Sequence, residues 1–272
     1  MGRIFRNIKR LITPLIYSLV PSKGVPPRGV NFEKITFNLK GVERTAGLFI
    51  PKGYSPSKEW PLIVYLHGGG ERFCDADIRF ANHQLIRLAI NEYEKEFPAV
   101  VLLPLCLGDK VWAHIPAKPI QTNWRLSTFG TESAPNVSDY LTESIQYVLS
   151  NYNIDKLRVS LTGHSMGGEG AMRYGAQHSN KISAIAASAG SAVIVPSDAP
   201  KLAKMNIWMY QGSDDHISTN ALARQNVKAI QDAGGNVIYK ELGGVGHEVG
   251  ENFFLDPNLI DWLVTQRLHS YA

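Results

Sequence analysis

A chain of 272 residues with 44% hydrophobic content can bury a full core, and this length and composition point to one large α/β domain rather than two. The formal net charge of +4 is small. Beyond the first ten residues Lys and Arg are dispersed among Asp and Glu, without the basic stripe that phosphate binding needs, so nucleic acid is not an expected partner.

Residues 1–24 differ from the rest. Arg3, Arg6, Lys9 and Arg10 alternate with Ile4, Phe5, Ile8, Leu11, Ile12, Leu15, Ile16 and Leu19, which form one apolar stripe at helical spacing. Three readings stay open: a signal peptide or anchor, an uncleaved interfacial helix in contact with a membrane surface through residues 1–20, and a helix packed on its own domain or on a partner. The first two lean towards a secreted or membrane-associated address. Pro14 interrupts the segment, which is too short for a membrane span. Residues 22–29 read as a linker, and residues 25–272 as the folded domain.

Residues 32–39 and 44–50 read as antiparallel strands. Residues 62–66 and 99–103 are short continuous apolar runs typical of buried parallel strands, with a helix near 82–94 between them. A helix opening near Asn136 carries Leu141, Ile145, Val148, Leu149 and Tyr152 on one face, and a strand at 157–161 follows. A small-residue helix at 169–177, strands at 182–187, 207–210 and 237–241, and a helix near 219–233 continue the alternation. Asp256-Pro257 then starts a final helix. Strands alternating with helices imply a mostly parallel sheet covered on both faces.

Chemistry in such a sheet gathers beyond the carboxyl ends of the strands, where four motifs fall. Gly163-His164-Ser165-Met166-Gly167 lies between the 157–161 strand and a helix, the setting of a serine held exposed on a strained turn. His67-Gly68-Gly69-Gly70 follows the 62–66 strand; its backbone N–H groups can meet a developing oxyanion together with the N–H of Met166. His67 precedes this loop and is read as structural. Gln211-Gly212-Ser213-Asp214-Asp215 offers a carboxylate at a later strand end, from either aspartate. Gly243-Gly244-Val245-Gly246-His247 brings a general base, and serine, acid and histidine follow in the chain order of an α/β-hydrolase.

From about Phe49 onward the chain resembles the esterase branch of the α/β-hydrolase superfamily, near predicted esterases and peptidases grouped with feruloyl esterases and polyhydroxybutyrate depolymerases. The resemblance is carried by FIPKGYSPSKEWPLIVYLHGGGER, YNIDKLRVSLTGHSMGGEGAMRYGAQH, IWMYQGSDDHIS and GVGHE. It implies Ser165 as nucleophile, His247 as base and, through a Gly-x-x-Asp pattern, Asp215 rather than Asp214 as acid. Gln211 departs from the family, where His is frequent, and Ile217-Ser218 replaces the usual Val-Pro. The activity so implied is hydrolysis of small or polymer-linked carboxylic esters through an acyl-enzyme, with Met166 and Gly69 or Gly70 as the oxyanion hole.

No metal or organic cofactor is required by that chemistry, and His164 and His216 show no metal-ligand pattern. Cys74 and Cys106 are too few for a disulfide framework; both follow apolar runs, so a bridge between their loops and two separate thiols both stay open. Residues 188–205 are too few for a lid domain, whereas 104–135 form a long connection carrying Trp112, Trp124 and Phe129. Trp112 and Trp124 are candidate substrate-binding residues, with packing as the alternative. A serine peptidase is the nearest rival reading, and a non-catalytic binding protein on the same scaffold the more distant one.

Overall fold

The computed structural model describes residues 32–73, 84–93, 96–106, 108, 110–113, 136–190 and 198–268. Its centre is an eight-stranded sheet in the order β1-β2-β4-β3-β5-β6-β7-β8. The strands are β1 (Glu33–Leu39), β2 (Val42–Phe49), β3 (Trp60–Leu66), β4 (Val100–Leu103), β5 (Ile154–His164), β6 (Ala184–Ser188), β7 (Asn206–Gly212) and β8 (Val237–Leu242). β1 and β2 form the expected antiparallel pair, β2 runs antiparallel to β4, and every pairing from β4 to β8 is parallel. This is the α/β-hydrolase architecture the sequence implied.

The continuous apolar strands are explained by their two faces. In β3, Leu62, Val64 and Leu66 point into one cluster and Ile63 and Tyr65 into another; in β4, Val100 and Leu102 oppose Val101 and Leu103 in the same way. Side chains alternate across a strand, so a sheet buried on both faces has no polar side to offer. Each fully buried aliphatic side chain contributes about 1.5–3 kcal/mol of transfer free energy.

Helices α2 (Ser138–Asn151), α3 (Met166–Gln177), α4 (Ala199–Leu202) and α5 (Asn220–Asp232) supply the first cluster with Leu141, Val148, Met172, Leu202 and Ile230. Helices α1 (Gln84–Glu92), α6 (Val249–Phe254) and α7 (Leu259–Thr265) supply the second with Ile86, Phe253, Phe254 and Leu263.

Three boundaries differ from the expectation. β5 spans eleven residues rather than five: it first meets β3 at Trp60–Ile154, ahead of a register shift, and from Ser160 to Gly163 it is bonded on both sides, to β3 and to β6, which carries Gly163 into the strand against its local preference. The helix after the serine begins at Met166, without delay. The final helix expected from Asp256-Pro257 is α7, entered through a turn in which Asp256 accepts the Asn258 N–H at 3.0 Å, and the short helix α6 before it is an element that was not expected. None of the described helices is long and apolar enough to cross a membrane; the N-terminal segment, Cys74, Trp124 and Phe129 lie outside the described residues.

The junction of β5 with α3 depends on missing side chains. A Cβ on Gly167 would lie 1.8 Å from the Leu66 carbonyl oxygen, and one on Gly163 would lie 2.5 Å from the Gly167 carbonyl carbon. Both obstacles are backbone, which cannot swing aside. Gly167→Ala should therefore destabilise the fold by about 3 kcal/mol or more, whereas Gly243→Ala, which meets open space, should stay within about 0.5 kcal/mol. Urea denaturation of the two variants checks the contrast.

Candidate active site

Ser165 sits between the last residue of β5 and the first of α3 with φ 56° and ψ −123°. A side chain held in that region costs about 1–3 kcal/mol, and the surrounding contacts must enforce it. They do so from both directions: the Ser165 N–H donates to the Ser188 carbonyl at 2.9 Å, and the Ser165 carbonyl accepts the Glu169 N–H at 3.0 Å. The result aims Oγ away from the sheet.

His247 reaches this serine from the loop after β8. Its Nε2 lies 2.8 Å from Ser165 Oγ and its Nδ1 2.8 Å from Asp215 Oδ2. A carboxylate can only accept, so Nδ1 carries the proton and Nε2 presents a lone pair to the serine hydroxyl. The imidazole is thereby oriented and left basic on the side of the serine.

Asp215 is 3% exposed, and its Oδ1 accepts the backbone N–H groups of Ile217 and Ser218, both at 2.8 Å. Burial pushes this carboxyl up, but the hydrogen bond and charge of His247 and the two backbone donors outweigh it and leave it below the usual carboxylate value. Asp214 is exposed, with its carboxylate turned to the Ser213 hydroxyl at 2.7 Å. The geometry thus brings Asp215, and not its neighbour, to the histidine.

The loops that carry acid and histidine are fastened together. Ser213 N–H donates to the Leu242 carbonyl and Asp214 N–H to the Val245 carbonyl, both at 2.9 Å, and Gly244 N–H donates to Ser213 Oγ at 2.8 Å. A Cβ on Gly212 would stand 2.3 Å from the carbonyl oxygens of Val245 and Gly246, so only glycine lets the loops approach this closely.

His164 packs its ring 4.9 Å from that of His247 and shares a 3.0 Å hydrogen bond with Ser188 through Nδ1. Burial, then the neighbouring His247, push its titration down to about 3, against weaker opposition from Glu71 and Asp215. It therefore remains neutral and adds no positive charge beside the base.

The glycine-rich loop is clamped rather than loose. His67 is fully buried; its Nε2 accepts the Cys106 N–H at 3.0 Å, which leaves the proton on Nδ1 to donate to the Gly68 carbonyl at 2.9 Å. Glu71 Oε2 takes the Gly68 N–H at 2.7 Å, and Arg72 Nε donates to the Gly69 carbonyl at 3.2 Å. Gly68 lies beside the nucleophile, for a Cβ there would be 3.9 Å from Ser165 Cβ. Gly69 opens the 3₁₀ turn Gly69–Phe73, and Met166 opens α3, so both stand where a helical N–H has no carbonyl one turn back. The contribution of Glu71 was missed, although its place three residues after Gly68 matches the spacing of a capping box.

Trp112 requires a correction. It is 1% exposed, donates Nε1–H to the His67 carbonyl at 2.9 Å and packs edge-on against the His67 ring. A Cβ on Gly170 would fall 2.4 Å from Trp112 Cβ, so the indole fills the notch left by that glycine. It supports the loop from behind, as the packing alternative has it.

A mostly parallel sheet with helices on both faces and a serine, histidine and aspartate joined at its strand ends defines an α/β-hydrolase. Residues 39–258 match the model of the Esterase family, and the chain belongs to that family. A thermostable esterase of known structure is 26% identical with a TM-score of 0.71, over 87% of this chain and 63% of its own; the chain spans 63% of that protein's length. The CE1 ferulic acid esterase of Anaeromyces mucronatus, solved with ferulic acid, is 18% identical with a TM-score of 0.57, over 90% of this chain and 93% of its own. An S-formylglutathione hydrolase from Agrobacterium tumefaciens is 16% identical with a TM-score of 0.60, over 89% and 96%. These last two share the fold. No curated protein matches the sequence.

Two outcomes follow from this geometry. Trp112→Ala should cost about 3–5 kcal/mol of stability, and any loss of turnover should be equal for a bulky aromatic ester and an acetate ester; melting curves and paired kinetics check it. Because Asp215 titrates below its unfolded value, the stability it confers is present above the usual carboxylate range and is lost as pH falls through the lowered value. Acid denaturation of Asp215→Asn should lack that component.

Proposed function

We propose that the protein hydrolyses carboxylic esters through a covalent acyl-enzyme on Ser165. The observation that carries this reading is the unbroken chain from Ser165 Oγ through both nitrogens of His247 to Asp215, with each link at 2.8 Å. As Oγ attacks the ester carbonyl, Nε2 takes its proton, and Asp215 stabilises the imidazolium that results. The same nitrogen then protonates the departing alcohol. Water then attacks the acyl carbon and gives a proton to His247, and as the acyl–Oγ bond breaks His247 returns that proton to Ser165 Oγ and the acid leaves.

The negative charge that develops on the carbonyl oxygen needs donors already in place. Met166 N–H, at the positive end of the twelve-residue α3, is one. Gly68 N–H is taken by Glu71, which favours Gly69 or Gly70 as the second. No group in this sequence of steps has to change its charge except the histidine and the reacting oxygens.

Ser165→Ala should abolish turnover of nitrophenyl esters and labelling by a fluorophosphonate probe while leaving the melting curve close to wild type. Asp215→Asn should reduce kcat by about 10⁴, and Asp214→Asn should change it little. Labelling that persists in Ser165→Ala, or a reversed order for the two aspartates, would remove the assignment.

A further inference from the structure

Gln211 is the penultimate residue of β7, one before Gly212, and is 1% exposed. Its Nε2 faces three oxygen acceptors: the Ser218 carbonyl at 2.6 Å, Asp215 Oδ2 at 3.1 Å and the Gly212 carbonyl at 3.5 Å. An amide oxygen in that place would meet only lone pairs, so chemistry fixes which end of the side chain points inward. The oxygen it reaches on Asp215 is the one that also accepts His247 Nδ1–H. Oδ1 is already held by two backbone N–H groups. The carboxylate is thus anchored through Oδ1, and Gln211 acts on the oxygen that faces the base.

We propose that Gln211 is a positioning residue that shares the Asp215 carboxylate with His247 and so limits how strongly the acid draws a proton onto the imidazole. This rests on reading Ser165, His247 and Asp215 as the reacting set. A carboxylate oxygen that accepts a second hydrogen bond is a weaker partner for an imidazolium, so Gln211 tempers the pull of Asp215 on the His247 ring, whose neutral form alone can take the serine proton. An amide does this without titrating itself.

The other titratable groups around the base leave this role to Gln211. On the acid loop, Asp214 and His216 are exposed. Glu248, in the histidine loop, turns back to the Gly246 N–H at 3.1 Å. Glu71, from the turn after β3, holds the Gly68 N–H, and His164, from the end of β5, bonds Ser188. None of them donates to Oδ2.

The test is the acid limb of the kcat/KM profile on a soluble nitrophenyl ester across three substitutions. Gln211→Met removes the donor at similar volume and should move the limb up by about half a unit to one unit. Gln211→Glu places an acceptor there and should move it further. Gln211→His, whose ring N–H can reach the same oxygen, should return it to the wild-type position or below. KM should stay within about two-fold throughout.

A limb that stays in place across the series, or falls in Gln211→Met, overturns the proposal; a purely structural residue would lower the melting temperature without ordering the limbs. The same order is readable without turnover by ¹H–¹⁵N NMR titration of the His247 ring. Absence of ester hydrolysis in the wild type would sink the enzymatic reading, whereas a wrong order of ring titrations would sink the role of Gln211. If Gln211→Glu does not fold, the Met and His variants carry the comparison.

Discussion

At the end of β5, three stretches of backbone come closer than any side chain would allow. The Leu66 carbonyl rests against Gly167, Gly163 rests against the Gly167 carbonyl, and Gly168 approaches the Ser188 carbonyl, with 2.9 Å left for a Cβ. This contact sets how far α3 can slide along the sheet. It also sets the direction in which Ser165 leaves it, because the left-handed backbone of the serine is the only way to pass from strand to helix in so little length. Every other part of the site is arranged around a serine whose position is decided by steric exclusion.

The partners of that nucleophile are held by a different means. Asp215 and His247 stand on loops that have few buried apolar contacts of their own, and backbone hydrogen bonds between the loops replace what packing cannot provide. The loop on the opposite side is held by side chains: His67 bonds forward to Gly68 and across to Cys106, Trp112 wedges against His67, and Glu71 closes the turn. Rigid placement matters because donors fixed before reaction need no reorganisation when charge develops. Keeping His164 neutral serves the same end, since a second cation 4.9 Å from His247 would oppose the imidazolium.

Much of this was legible in the chain itself. Buried strands announce themselves by continuous apolar runs, and glycines bracketing a serine announce a turn with no room, so β3, β4 and the Gly163–Gly167 junction could be read directly. The choice of Asp215 over Asp214 could be taken only from family resemblance, because two adjacent carboxylates are equivalent until the backbone directs one inward. Trp112 was ambiguous for a related reason: an aromatic in a long connection looks the same whether it greets a ligand or fills the notch at Gly170, and which it does depends on a partner 58 positions away. The length of β5 was hidden because its first pairing with β3 lies beyond an irregularity in register, and α6, six residues long, is too short to show a helical period.

Ser165 and His247, hydrogen-bonded in the fold, are separated by 82 residues. Ribosomal synthesis at about 5–20 residues per second places roughly 4–16 s between the emergence of the two. Throughout that interval the growing polypeptide exposes a serine with an ordinary hydroxyl, no stronger as a nucleophile than any other. The turn at Ser165 does not wait for β7 and β8, because the contacts that hold it come from β3, β5, β6 and α3. The serine is therefore placed before its partners, and the hydrogen bonds that join it to His247 and Asp215 form only with the last two strands of the sheet.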